Sequence, residues 1–283
     1  MRSDDELRKI QRYFKSGAGQ YGAGDTFMGV RMGHVFALAK EFVLMEPAQI
    51  ELLLESPLHE MRAGAVSIMA KQAVLKKASG ARRRELFDLY LRRHDRIHNW
   101  DLVDLGARDV LGRFLLDKKR DALYSLARSE NLWERRSAMW ARMAFLQRGE
   151  RDDMYAIAGI LLHDREDLIH KVVGGMLREA GKKDKPQLLA FLDKHATMMP
   201  SAMLRYAVKH FGTEERAGYR GWGRGSYDAA ARSDNPEGRR SRSGTHVGLA
   251  TNKSGCSRSA PTFPQSGVQP ASALLIPPKE RPS

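Results

Sequence analysis

Ten stretches of this chain repeat their apolar residues every three to four positions, and no stretch alternates apolar and polar residues between hairpin turns. They are 27–42, 48–55, 60–75, 83–93, 101–116, 120–127, 133–146, 155–162, 168–180 and 188–211. Each predicts a helix with one apolar stripe, and with no sheet to cover them the stripes must bury against one another. Ser56-Pro57, Ser129, Asn131, Gly149, Asp164 and Pro186 punctuate the gaps as caps and breakers. Short connections make consecutive helices antiparallel neighbours. That leaves a helical bundle or an α-solenoid.

A loose internal repeat favours the solenoid. Glu60-Met61-Arg62-Ala63, Glu134-Arg135-Arg136-Ser137, Ile169-His170-Lys171-Val172 and Met203-Leu204-Arg205-Tyr206 each carry a basic residue followed by small or apolar ones. Aligning Trp100 with Trp133 puts Val103 in the same slot. The steps from Arg62 through Val103, Arg136 and Lys171 to Arg205 are then 41, 33, 35 and 34 residues, near the period of HEAT or armadillo helix pairs. The expected fold class is all-α, an α-solenoid of about five or six HEAT-like pairs with a disordered C-terminal tail. One residue per pair would line a continuous concave groove. Arg62, Arg136, Lys171 and Arg205 are therefore candidates to follow a phosphate backbone.

The chain changes character near residue 219. Residues 220–283 hold 25 Gly, Ser or Pro in 64 positions, too many for packed helices. Of the net charge of +14, this segment carries +6 (10 basic, 4 acidic) and residues 1–219 carry +8 (38 basic, 30 acidic). The organisation expected is a solenoid over 1–219 and a basic, low-complexity tail over 220–283. The charge points to a polyanionic partner, nucleic acid before acidic membrane. The single cysteine, Cys256, excludes an intramolecular disulfide framework and a Cys-based zinc site. The first residues are charged and lack a signal core, and no apolar run approaches the roughly 20 residues of a membrane span. The expected location is the cytoplasm, on the nucleoid if the source is bacterial.

Two motifs carry chemistry. In Asn99-Trp100-Asp101-Leu102-Val103-Asp104 and in Leu132-Trp133-Glu134-Arg135-Arg136, a large aromatic and a charged residue stand three or four positions apart. That spacing puts both on one helix face. An apolar face would not select Trp with Asp, and a solvated face has little use for Trp. An aromatic–carboxylate face beside a basic face suits an anionic ligand with a local positive charge, such as a nucleic acid bearing a cationic damaged base.

The ordered motifs resemble the AlkD-like DNA alkylation repair enzymes, which are HEAT-like monofunctional DNA glycosylases. The resemblance covers about residues 10–219. It rests on Tyr13-Phe14-Lys15-Ser16-Gly17-Ala18-Gly19-Gln20-Tyr21-Gly22-Ala23-Gly24-Asp25 with Gly29-Val30, on 99–104, and on Asn131 to Arg136. It continues through His170-Lys171, Met176-Leu177-Arg178-Glu179, 191–195 and 203–207. The resemblance implies that Asp104 is the catalytic carboxylate, Trp100 its aromatic partner one turn earlier, and Arg136 the arginine of the groove, holding a phosphate. It implies a substrate of duplex DNA with N3- or N7-alkylpurines, hydrolysed at the N-glycosidic bond to leave an abasic site. No cofactor or metal is implied, because hydrolysis needs only water, and a monomer suffices.

The Gly-rich segment 17–24 lacks the Gly-Lys-Ser/Thr of a phosphate loop. It is expected to bring backbone close to DNA, with Tyr21 and Gly22 touching the strand and Asp25 capping the next helix. The 82–84 and 92–96 arginine clusters could extend the phosphate footprint. His94 and His98 lack a zinc-protease spacing. The chain departs from the resemblance at Gly175, where relatives carry a Trp in a Gly-Trp-Met-Leu-Arg-Glu run. Two alternatives therefore stand beside the glycosylase: a HEAT-repeat DNA-binding protein without catalysis, and an α-solenoid protein-interaction scaffold.

Overall fold

The computed structural model describes residues 2–220. The tail expected to be disordered therefore lies outside the described residues, apart from Arg220. Thirteen α-helices are present among the described residues and no strand. They are α1 (Asp4–Tyr13), α2 (Met32–Glu41), α3 (Pro47–Leu54), α4 (His59–Val74), α5 (Gly80–Arg92), α6 (Trp100–Gly106), α7 (Asp121–Ala127), α8 (Leu132–Gln147), α9 (Asp152–Ile160), α10 (Asp167–Gly181), α11 (Lys185–His195), α12 (Ser201–Ala207) and α13 (Thr213–Arg220). A π-helical stretch, Ala107–Gly112, prolongs α6.

The arrangement is an α-solenoid. Helices α4, α6, α8, α10 and α12 pack each on the next in one layer, and α3, α5, α7, α9 and α11 cover them, with α3 on α4, the π stretch on α5, α8 on α7, and α10 on both α9 and α11. That makes five helix pairs, with α2 laid against α4 at the N-terminal end. One apolar core runs through all of them, from Val30 to Phe211. The repeat slot lies in the first layer throughout: Arg62 on α4, Val103 on α6, Arg136 on α8, Lys171 on α10 and Arg205 on α12.

Several helix boundaries differ from the periodicity, each for a local reason. The 27–42 stretch is helical only from Met32. Before it, the backbone N–H groups of Met28, Gly29 and Val30 donate to the buried Glu60 carboxylate at 2.8–3.2 Å, which docks an extended segment on α4. The 188–211 stretch is two helices, because Pro200 cannot continue the first and sits at the N-cap of α12. Helix α1 buries no residue, so it left no apolar stripe to read; Ser3 caps it and Asp4, Asp5 and Glu6 fill its first turn.

Adjacent glycines of α10 show how tightly the first layer packs. A Cβ on Gly174 would stand 2.3 Å from the Met203 carbonyl oxygen of α12, whereas a Cβ on Gly175 meets nothing within 4 Å. Gly174→Ala should therefore destabilise the chain by about 1–3 kcal/mol as α10 and α12 are forced apart. Gly175→Ala should stabilise it by up to about 1 kcal/mol through helix propensity. Denaturant titration of the two variants checks the contrast. Equal effects would mean that α10 and α12 are not in this close register.

Candidate active site

Helix α6 owes its start to Asn99, whose side-chain oxygen accepts the Trp100 N–H at 2.8 Å. The Asn99 amide also donates to Asp25 at 2.6 Å. This fixes Trp100 and Asp104, four residues apart, on one face of the helix. The switch to π geometry follows three residues after Asp104. Such bulges re-aim side chains and recur at functional sites.

Asp104 is held from the next helix. Arg136 donates Nε to its Oδ1 at 3.0 Å and Nη2 to its Oδ2 at 2.9 Å, while Nη1 donates to the Leu168 carbonyl at 3.1 Å. The pair thus ties α6, α8 and α10 together. Arg136 is buried, yet 22% of the Asp104 side chain remains open. Burial pushes the Asp104 carboxyl up to about 6, against the pull of the Arg136 charge and hydrogen bonds. It is a carboxylate at neutral pH, and each oxygen keeps a lone pair that Arg136 does not use.

Aromatic rings border the carboxylate. Half-buried Trp100 stacks on Phe14 (centroids 5.5 Å apart, 24° between planes) and meets Tyr13 edge-on at 5.6 Å. Tyr13 is 59% exposed. Its phenol is pushed up by burial and by the negative charges of Asp101 and Asp104. The Tyr21 hydroxyl donates to the Tyr13 carbonyl at 3.3 Å. Burial raises the Tyr21 phenol as well, a hydrogen bond with Trp100 and the charge of Lys171 opposing it. Trp140, one turn beyond Arg136, donates its indole N–H to the Asp104 carbonyl at 2.9 Å, and the Arg136 guanidinium lies 6.0 Å from its ring.

The structure therefore brings Asp104, Trp100 and Arg136 together, with Tyr21 joined to them through Tyr13. Sequence reasoning did not assign Tyr13 to this group. Trp140 is spaced one turn from Arg136, a signal the sequence did carry. Trp133, by contrast, is a core residue. The basic residues of the repeat slot do not form one exposed row. Arg62 is 2% exposed and spends its guanidinium on Asp25 (2.5 Å) and His98 (2.7 Å), so it is an internal cation and is not placed to touch DNA. Lys171 is half-exposed and paired with Asp167 at 2.5 Å, and Arg205 is exposed.

Three further expectations are corrected. Gly22 is buried and abuts the chain itself: a Cβ there would stand 2.4 Å from the Phe14 carbonyl oxygen, so the glycine serves this turn's closure and is not presented to a strand. Asp25 caps no helix, since its carboxylate is buried against Arg62, Asn99 and two histidines. The arginines around α5, apart from the exposed Arg84 that pairs with Asp88 of the same helix, are committed to the preceding pair. Arg82 binds Glu46, Arg92 and Arg93 bind Glu51, and Arg83 and Arg96 bind carbonyls that end α4 and α3. His94 and His98 also part ways, His94 to buried Ser137 and His98 to Arg62 and Asp25. Among the described residues no His, Cys, Asp and Glu group is placed to hold a metal ion, and no helix is long and apolar enough to cross a membrane.

Comparison with known proteins adds two findings. The family described as DNA alkylation repair enzyme matches residues 1–211. The fold is similar to a solved structure described as a predicted DNA alkylation repair enzyme from Enterococcus faecalis, at 17% identity and a TM-score of 0.59, over 75% of this chain and 98% of that one. No curated protein matches the sequence.

Proposed function

The chain belongs to the DNA alkylation repair enzyme family, and on that premise we propose that it is a glycosylase removing cationic N3- or N7-alkylpurines from duplex DNA. The observation that carries this reading is a partly open carboxylate, Asp104, aimed by a bidentate arginine and flanked one turn away by a half-buried Trp100. Alkylation makes the purine a good leaving group, so the barrier is dominated by positive charge growing on the deoxyribose. When the C1′–N9 bond breaks, its electron pair neutralises the purine. Water then adds to C1′ and loses a proton. Asp104 stabilises the sugar cation and accepts that proton, while the Trp100 ring faces the cation. Arg136 orients the carboxylate.

Single-turnover release of N7-methylguanine from a methylated duplex tests the reading. A second reading, duplex binding without catalysis, draws on two observations: Arg136 offsets the Asp104 charge, and the space over Gly175 is open. Binding of damaged and intact duplex with no base release would select it.

The basic residues divide by placement. Arg205→Ala should weaken binding to damaged and undamaged duplex alike and flatten the salt slope by about one unit, as loss of one phosphate contact does. Arg62→Ala should instead unfold the chain more easily and leave the salt slope unchanged, because its charge never leaves the interior. Titrations at three salt concentrations distinguish them; an altered slope in folded Arg62→Ala would restore Arg62 to the DNA face.

A further inference from the structure

We propose that His59 is a positioning residue, an imidazolium bridging Asp25 and Asp101 that fixes the first turn of α6, and with it Trp100 and Asp104, on the N-terminal segment. The catalytic part of this statement rests on the glycosylase reading above.

His59 opens α4, is 1% exposed, and packs against the stacked rings of Phe14 (4.8 Å) and Phe27 (4.9 Å). Its Nε2 stands 2.8 Å from Asp101 Oδ2, and its Nδ1 stands 3.4 Å from Asp25 Oδ2. Ionised carboxylates only accept, so the Nε2 contact with Asp101 requires a proton there, and a proton on Nδ1 would face Asp25 Oδ2 at an ion-pair distance without a formed hydrogen bond. Charge balance favours a protonated ring. Asp25 and Asp101 are offset by Arg62 and a cationic His59, whereas a neutral His59 would leave a buried net negative charge. His98 lies at the edge of the same cluster, its Nε2 2.7 Å from the Arg62 guanidinium and 3.2 Å from Asp25 Oδ1, and its Nδ1 3.0 Å from the Asp95 carbonyl oxygen. Burial opposes charge on His59, yet the two carboxylates outweigh it and hold the imidazole at about 9.

The bridge bears on the candidate site because of what it anchors. Asp101 directly follows Trp100 and precedes Asp104 by three residues. Its only hydrogen bond to a side chain among the described residues comes from His59, and its Oδ1 accepts none. Asp25 also receives the Asn99 amide, so the cap and the first turn of α6 hang on one buried ion cluster. Loss of His59 releases that turn while leaving the side chains of Trp100, Asp104 and Arg136 in the chain.

The test uses the full chain. Nitrogen NMR of the histidines at pH 7.5 should find both His59 ring nitrogens protonated. In His59→Gln, amide exchange in α6 should rise about tenfold or more while α8 and α10 keep theirs. Single-turnover excision should fall about tenfold with duplex affinity unchanged, and adding Asp101→Asn should cost little more, as for two members of one pair. The raised value means that the bridge's stabilisation is complete below the ordinary imidazole value near 6.5 and is lost as pH rises through about 9. The stability gap between wild type and His59→Gln should therefore close over that range. A neutral ring at pH 7.5, unchanged α6 exchange, or equal loosening of every helix would each overturn the proposal. If the ring is charged and α6 loosens, but wild type releases no base, the glycosylase reading falls and the anchoring stands.

Discussion

Asp104→Asn should lower single-turnover excision of N7-methylguanine by a factor on the order of a hundred or more, with duplex affinity unchanged or slightly improved. The substitution keeps the shape and one acceptor oxygen facing Arg136 but removes the charge that stabilises the sugar cation. Affinity holds because removing a negative charge relieves repulsion from phosphates. The loss should be largest for lesions with stable glycosidic bonds, where the uncatalysed reaction is slow. Stability should also fall, because Arg136 then lies buried beside a neutral partner. A fully buried broken pair costs about 3–5 kcal/mol; an opening at Asp104 reduces that to about 2 kcal/mol. Rates must therefore be compared where both proteins are folded. Equal rates in wild type and variant would remove Asp104 from the chemistry.

What the sequence revealed and what it hid separate along physical lines. The helices and their pairing were legible because a stripe that must be buried repeats every three to four residues. The break at Pro200 and the extended 27–31 segment were hidden because apolar residues continue across both. The Trp100–Asp104 face was legible because one helix sets its spacing. Arg62 was misread because a repeat slot gives the direction of a side chain and not the depth at which it ends. At the N-terminal pairs that slot is interior, filled by Val103 and by an arginine paired with Asp25, and it reaches solvent at Arg205. The ion cluster around His59 joins residues 25, 59, 62, 98, 99 and 101, and no local pattern could announce such a contact.

Arg136→Met separates two roles that the sequence could not. A phosphate clamp would lose affinity for every duplex and flatten the salt slope, with the pH dependence of excision unchanged. The bidentate contact with Asp104 leads to a different result. Burial already raises that carboxyl to about 6 with Arg136 opposing it, so removing the guanidinium drives it higher. Excision at neutral pH should then fall by a factor on the order of ten to a hundred, as less of the enzyme holds an ionised Asp104. The acid limb of the rate profile, near pH 6 in the wild type, should move upward, so the variant recovers rate between pH 7 and 8.5. Stability moves the other way. A carboxyl whose value is raised on folding binds its proton more tightly in the folded state, so ionising it costs stability as pH climbs from its ordinary value near 4 through the folded one. Arg136→Met should extend that decline to higher pH. Excision would therefore improve over the same interval in which the fold weakens, a signature that loss of a phosphate contact cannot produce. An unmoved acid limb combined with a flatter salt slope would return Arg136 to the DNA backbone.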